Sequence, residues 1–173
     1  MKSPYIFTSV TRIAKFPGFD FQVEPIPREQ WETGQYMVGE ITDANSPYLL
    51  ELPNGRMIPI SEGDLVVGAF GVRAATLEAT GDWQDIGEDG TMHLLTGAGL
   101  FGKLRTKAPF MPNLISARYV GHVLVGESPI TMGQVVPEVV HLPYKTPTIL
   151  VIGTSMSAGC VFRSKAATQF GGK

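Results

Sequence analysis

The sequence lacks the features that mark several large classes of protein. It has a single Cys among 173 residues, so no internal disulfide can form and nothing indicates secretion. No apolar run approaches the roughly 18 residues that a membrane span needs. The N-terminal residues also lack the apolar core of a signal peptide. These absences predict a cytoplasmic protein that does not contact a membrane.

Charge is also scarce. Charged residues make up 17% of the chain and the formal net charge is −2, whereas soluble domains have roughly 25% charged residues. No basic stretch offers a surface for nucleic acid or for an anionic membrane, so neither is expected as a partner. The 20 Gly and 13 Pro residues instead indicate short strands joined by tight turns.

The spacing of apolar segments and turns predicts a mainly β fold. Short segments that alternate between apolar and polar residues recur along residues 1–142, which favours a small barrel or a two-layer sandwich. Asn54-Gly55 lies between two apolar segments and predicts a β-hairpin with a two-residue type I′ turn. Further strands are predicted at 65–72, 75–80, 91–96, 99–107, 115–125 and 130–140.

The pattern changes after residue 142. Residues 143–147 contain two prolines, which predicts a stiff linker. Residues 148–173 then indicate a short strand–loop–helix appendage, because Phe162, Ala166 and Phe170 have the spacing of one helix face. We therefore predict three parts: a β domain over 1–142, a linker over 143–147 and the appendage over 148–173.

A glycine-framed turn follows the apolar strand 148–152. Buried strands of this kind deliver phosphate-binding loops, whose glycines let backbone N–H groups point at an anion. The turn resembles the loop of dethiobiotin synthetase and related P-loop NTPases, which reads Gly-Thr-Asp-Thr-x-Val-Gly-Lys-Thr and has five residues between its glycines. The resemblance covers residues 148–159. It implies that phosphate would be bound by Gly153, Thr154, Ser155, Ser157 and Gly159.

The chain departs from this pattern directly after Gly159. Cys160 and Val161 stand where the family has the phosphate-binding Lys and the Mg²⁺-binding Ser or Thr. We therefore expect a truncated or frame-shifted product of a longer NTPase gene. ATP and Mg²⁺ are implied only for a full-length relative, and no cofactor is expected for this chain. The turn is alternatively an ordinary Gly/Ser-rich connection between a strand and a helix.

This interpretation predicts that the β domain is a non-catalytic binding or assembly module. A homo-oligomer is expected, since residues 149–152 are apolar on both faces and have no parallel neighbours in the sequence. Nothing in the sequence identifies a small-molecule ligand.

A second glycine-rich segment suggests a different function. Residues 97–102 match G-x-G-x-x-G, but the alternating segment after them does not fit the helix of a dinucleotide-binding fold. If residues 103–107 form a strand, their cations share one face and produce an anion site in a small-ligand-binding or enzymatic barrel. The residues of this alternative site are Gly97, Gly99, Gly102, Lys103 and Arg105. An edge strand protected by charges explains the same cations.

No catalytic or metal-binding arrangement is found in the sequence. His93, His122 and His141 are far apart and lack the spacing of metal ligands. We expect each of them to be a structural residue with its hydrogen bonds satisfied. Cys160 has no neighbouring His to activate it.

Overall fold

The computed structural model describes residues 4–16, 20–75 and 77–136. These residues belong to one unit of the chain, Met1–Pro137. The predicted linker at 143–147 and the predicted appendage at 148–173 lie outside the described residues, and so do the five phosphate-binding positions between Gly153 and Gly159.

The described residues form mainly β structure, which confirms the predicted fold class. Short 3₁₀ helices occur at Ser9–Thr11, Arg28–Gln30 and Trp83–Asp85. The strands and the α-helix, in chain order, are β1 Tyr5–Phe7, β2 Gln22–Glu24, β3 Tyr36–Asp43, β4 Leu50–Glu51, β5 Met57–Ile58, β6 Leu65–Phe70, β7 Val72–Ala75, β8 Ala79–Asp82, β9 Thr91–Thr96, β10 Leu100–Lys107, β11 Ser116–Val125, β12 Ser128–Pro129 and α1 Met132–Val135.

Five of the strands close into a ring. The order is β6–β3–β11–β9–β10, and β10 returns to pair with β6. The closing pair is parallel and joins Leu100 and Phe101 to Ala69 and Phe70, whereas the other four pairs are antiparallel. Because the ring is closed, each of the five strands has a paired neighbour on both sides. The architecture is therefore that of a small barrel.

Two apolar clusters lie on opposite faces of this sheet. Met37 on β3 belongs to the cluster that also contains Phe70 and Phe101. Its neighbours Tyr36 and Val38 belong to a second cluster, together with Phe16. Side chains alternate across a strand, so the run of buried residues on β3 and β6 requires a cover on both faces. Ala14 and Phe16, which follow β1, supply part of the cover on the second face, whereas β1 itself pairs with β6 in the sheet.

A small extension of the sheet protrudes beyond the ring. The second half of β10 pairs with β8, and β8 pairs with β7. Among the described residues, β7 pairs with β8 alone and is therefore the edge of the extension. A β-bulge interrupts the β8–β10 pairing between Leu104 and Thr106.

The hairpin at Asn54-Gly55 is confirmed, but its predicted turn type is wrong. β4 pairs with β5, the N–H of Gly55 donates to the carbonyl of Leu52, and of these turn residues only Gly55 has a positive φ, of 83°. These features describe a three-residue loop, a type I turn followed by a left-handed glycine, instead of a type I′ turn. Pro53 explains the difference, because its fixed φ suits the first central position of a type I turn.

The strand predicted at 130–140 is also wrong from Met132 onward, although Thr131 before it makes an isolated antiparallel bridge with Gln35. Residues Met132–Val135 form the short helix α1. Thr131 caps this helix, and its backbone N–H donates to Oε1 of Gln134 at 2.8 Å. This reciprocal capping box stabilises a helical turn at the point where the apolar pattern favoured a strand.

Candidate functional site

A chain of hydrogen bonds is buried at one end of the barrel. His122 on β11 is fully buried, with Nε2 at 2.9 Å from Oε1 of Gln35 and Nδ1 at 2.6 Å from the hydroxyl of Tyr119. Gln35 uses its Nε2 to donate to the carbonyl of Gln30, so its Oε1 is the acceptor that faces the imidazole. His122 therefore donates through Nε2 and accepts from Tyr119 through Nδ1.

The outer ends of this chain also have partners. The hydroxyl oxygen of Tyr119 accepts the backbone N–H of Ile26 at 3.3 Å, and Oε1 of Gln35 also accepts the N–H of Glu32. Burial lowers the pKa of His122 to about 4, so the imidazole is neutral at pH 7. Burial also raises the pKa of Tyr119. Because each of these groups is bonded to protein atoms, the network is arranged to stabilise the fold, as the sequence predicted for His122.

Aromatic rings cover the network. Trp31 lies 4.4 Å from Tyr119 and stacks on Phe70 at 4.7 Å, measured between ring centroids. Trp83 stacks on Phe70 at 5.8 Å. Arg28 lies over Trp31, with its guanidinium carbon 5.1 Å from the ring centroid. This end of the barrel is therefore tightly filled.

A cleft of about 390 Å³ opens at the surface outside these rings. It is lined by Arg28, Glu29, Trp83 and Gln84. Nη2 of Arg28 donates to the carbonyl of Gln84 at 2.6 Å, whereas Nη1 is buried and has no hydrogen-bond partner in the described part of the chain. Arg28 thus ties the 3₁₀ helix Arg28–Gln30 to the 3₁₀ helix Trp83–Asp85 across the cleft.

A more enclosed cavity of about 180 Å³ lies next to β9. Three of its lining residues have polar side chains: Arg73 on β7, Thr96 at the end of β9 and Tyr48 in the segment before β4. Three leucines are also among the lining residues. The complete lining is Tyr48, Arg73, Leu94, Leu95, Thr96, Gly97 and Leu114.

The cavity contains one of the residues predicted for an anion site. Gly97 is part of its lining. Gly99 has φ of 100° and packs so closely against Thr8 that a Cβ atom would collide with the Thr8 side chain. Gly102 approaches the backbone of Asp82 and Trp83 in the same way. The last two glycines therefore allow close packing of strands and turns.

The predicted cations contact other groups. Nζ of Lys103 donates to the carbonyl of Thr91 at 3.4 Å, and Arg105 binds the carboxylates of Asp82 and Asp85. Hydrogen bonding from Arg105 lowers the pKa of Asp85. The cavity beside Gly97 has Arg73 as its cation, a residue that the sequence did not single out. An anion site built on Lys103 and Arg105 stays a prediction.

Arg73 was missed because no sequence spacing connects it to Gly97. Its Nη1 donates to the carbonyl of Leu95 at 2.6 Å, and its Nη2 forms an ion pair with Glu78. β7 pairs with β8, β8 pairs with β10 and β10 pairs with β9. Arg73 reaches the end of β9 through this series of pairings. No local pattern in the sequence indicates this series of strand pairings.

Other types of site were also sought. Within residues 4–16, 20–75 and 77–136, no group of three or more His, Cys, Asp or Glu side chains is placed to hold a metal ion. No helix in those ranges is long and apolar enough to cross a membrane. Comparison of the chain with protein-family models, with curated proteins and with solved structures found no match.

Proposed function

We propose that residues 1–142 are the non-catalytic N-terminal β domain of a cytoplasmic P-loop NTPase and act in binding or assembly. The sequence basis of the link to an NTPase is the glycine-framed turn at 153–159. Support for a non-catalytic role comes from His122 and Tyr119, whose perturbed pKa values belong to groups bonded inside the protein. Groups that act on a substrate need access to it.

The observation that carries an assembly role is the edge strand β7. Val72 and Ala74 are exposed on this strand, and exposed edges with few charges are templates for pairing with another strand. Leu77 and Phe110 are also exposed, by 80% and 76%. The N–H of Ala108 donates to the carbonyl of Glu78, which brings the turn of Phe110 next to that of Leu77.

The partner that we propose for this edge is a second copy of the chain. Arg73, which lies on β7, forms an ion pair with Glu78 of the same chain, so the edge carries no net charge of its own. Two copies of β7 can therefore approach without repulsion between like charges. In two-fold antiparallel pairing the end of each β7 lies beside the start of the other, so Leu77, which follows β7, would lie next to the first residues of the other β7.

Sedimentation of the full chain over a wide range of protein concentrations tests the assembly role. We expect a reversible increase in mass with concentration, and we expect Ala74→Lys to abolish it because a Lys on each copy would repel the other. Val125→Lys adds the same charge to an exposed position on β11 and should leave association unchanged. A chain that stays monomeric throughout, or an Ala74→Lys variant that still associates, would contradict the proposal.

Calorimetry with ATP tests the proposed state of the Gly153 turn, which we expect not to bind nucleotide. Without Lys at position 160 the turn loses a charge-assisted bond of about 1.5–3 kcal/mol, or one to two decades of affinity. We therefore expect no measurable binding at millimolar ATP. Replacing Cys160 with Lys and Val161 with Thr should not restore it. Micromolar binding of ATP to the unmodified chain would instead mean that the Gly153 turn is a working site.

A second candidate function is the binding of a small anionic molecule. The cavity beside Gly97 favours it, since its lining combines one arginine and two residues that carry hydroxyl groups with three leucines. Sites for small molecules typically combine apolar walls with a few polar groups that fix the orientation of the ligand.

A further inference from the structure

We propose that the cavity beside Gly97 binds a small monocarboxylate, with the carboxylate on Arg73 and the apolar part of the ligand against Leu94 and Leu114. This inference rests on the second candidate function, and it assigns the chemical class of the ligand. It can be tested separately from the assembly role, because Ala74, the position substituted in the assembly test, does not line the cavity.

Arg73 is fixed at the wall of the cavity in a way that suits a carboxylate. Its side chain is only 15% exposed, and the bond from Nη1 to the carbonyl of Leu95 fixes the plane of the guanidinium group. A guanidinium group has five N–H donors arranged as a fork, and carboxylates bind this fork through two parallel hydrogen bonds. The contacts to Leu95 and Glu78 leave some of these donors for a ligand.

Glu78 already places a carboxylate on Arg73. Its side chain is 54% exposed, so the ion pair is open to solvent and contributes little to stability. A carboxylate that enters the cavity can take its place, because Glu78 can turn towards water. The ligand adds contacts with the apolar wall that Glu78, at the surface, does not make. Glu78 is therefore expected to compete with the ligand.

Two hydroxyl groups can turn towards the same ligand. The hydroxyl of Tyr48 donates to Sδ of Met111 at 3.4 Å, and a thioether is a weak acceptor. Oγ1 of Thr96 accepts the N–H of Leu100 at 3.4 Å, which leaves its own proton free to be donated. Both groups lose little when they bind a carboxylate oxygen instead.

The size and the charge of the cavity limit the ligand. An apolar cavity of about 150 Å³ holds benzene, so the 180 Å³ here accommodates a short aliphatic or a single-ring tail. Arg73 is the cation in the lining, and a dianion such as phosphate would leave one charge against leucine side chains. A monoanion with an apolar tail fits both properties.

The experiment is a titration of the full chain, followed by amide chemical shifts, with acetate, butyrate, benzoate and inorganic phosphate at constant ionic strength. We expect saturable binding of butyrate and benzoate, weaker binding of acetate and none of phosphate. The amide signals of Thr96 and Gly97 should move most. Absence of saturable binding for every carboxylate overturns the proposal.

Variants separate the contribution of each group. Arg73→Lys keeps the charge but loses the fork, and should weaken benzoate binding by at least tenfold. Tyr48→Phe should weaken it by about threefold to tenfold. Glu78→Gln removes the competitor and should strengthen binding several-fold. Because Glu78 is exposed, we expect the Glu78→Gln variant to fold, so it tests the proposal even if Arg73→Lys does not fold.

The matched control is Arg105→Gln, which removes an exposed cation from the alternative anion segment. Unchanged binding in this variant supports the cavity, whereas loss of binding moves the site to Lys103 and Arg105 and overturns the proposal. A Glu78→Gln variant that binds no more tightly also overturns it. If phosphate binds and carboxylates do not, the ligand class is wrong but the second candidate function stands. If no anion binds, both fail.

Discussion

The buried network at His122 and the cavity at Arg73 contain similar side chains, but the two regions differ in how well their polar groups are paired within the protein. Each region combines a Tyr residue, a nitrogen-containing side chain (His122 or Arg73) and surrounding apolar residues. Around His122, both ring nitrogens and the Tyr119 hydroxyl have good partners inside the protein. In the cavity, Arg73 is paired with the solvent-exposed carboxylate of Glu78, and the hydroxyl of Tyr48 donates to the sulfur atom of Met111.

On the proposed assignment of the cavity, residue type does not distinguish a structural group from a binding group. His is the residue most often associated with catalysis, yet here it is sealed and neutral. Arg73 has no special sequence context, yet its partners can be replaced by a ligand. The quality of the existing partners is therefore the better criterion for choosing which site to test.

The largest effect is expected from His122→Ala. This change leaves a cavity and removes the acceptor of the Tyr119 hydroxyl, so the free energy of unfolding should fall by about 3–5 kcal/mol. Urea unfolding followed by circular dichroism measures it. His93→Ala is the control: the ring of His93 accepts one bond from the N–H of Leu104 at 3.2 Å, and about 1 kcal/mol is expected. Equal losses in the two variants would contradict a special role for the network.

A somewhat smaller effect is expected from pH. Because burial lowers the pKa of His122 to about 4, the unfolded chain takes up a proton below pH 6.5 that the folded chain does not. The contribution of His122 is complete above pH 6.5 and is lost progressively as the pH falls to 4, by about 3 kcal/mol in total. Burial also lowers the pKa of His93, which acts in the same direction.

Urea unfolding at a series of pH values between 7 and 4 measures this dependence. His122→Gln cannot titrate and should show a much flatter dependence than the parent chain. His93→Gln, as the control, should retain most of it. A His122→Gln variant with the parental slope would mean that other groups cause the loss.

The smallest effects come from a matched pair of hydroxyl deletions. Tyr119→Phe leaves Nδ1 of His122 and the N–H of Ile26 without their partner, and should cost about 1–3 kcal/mol. Tyr48→Phe removes only the bond to Met111 and should change stability by less than about 0.5 kcal/mol. If Tyr48→Phe costs as much as Tyr119→Phe, the Tyr48 hydroxyl is structural, and the contrast between the two regions disappears.

Local pattern was sufficient to predict much of the fold. The strand predicted at 91–96 is β9, and the strands predicted at 99–107 and 115–125 are found as β10 and β11, each one residue shorter. Period-two alternation and turn residues are local properties, which is why these elements could be found. Where a side chain changed the local preference, as Pro53 and the Thr131–Gln134 capping box do, the prediction was wrong.

The sites depend on long-range pairing and could not be predicted in the same way. Gln35 and His122 are 87 positions apart, and the antiparallel register of β3 and β11 brings them together. Gly97 was found because glycine-rich strings are visible in sequence, but its cation is on another strand. In β10, the bulge between Leu104 and Thr106 breaks the alternation on which the shared face of Lys103 and Arg105 was based.

The stack of Trp31, Phe70 and Trp83 also has an optical consequence. The chain has two Trp residues, and both lie at the same end of the barrel against Phe70. Intrinsic Trp fluorescence therefore reports only on that end, whereas the cavity beside Gly97 has Tyr48 as its aromatic residue. An unfolding curve recorded by Trp emission alone would follow the sealed region. Agreement with a second probe near Arg73 is needed before the whole domain can be treated as a single cooperative unit.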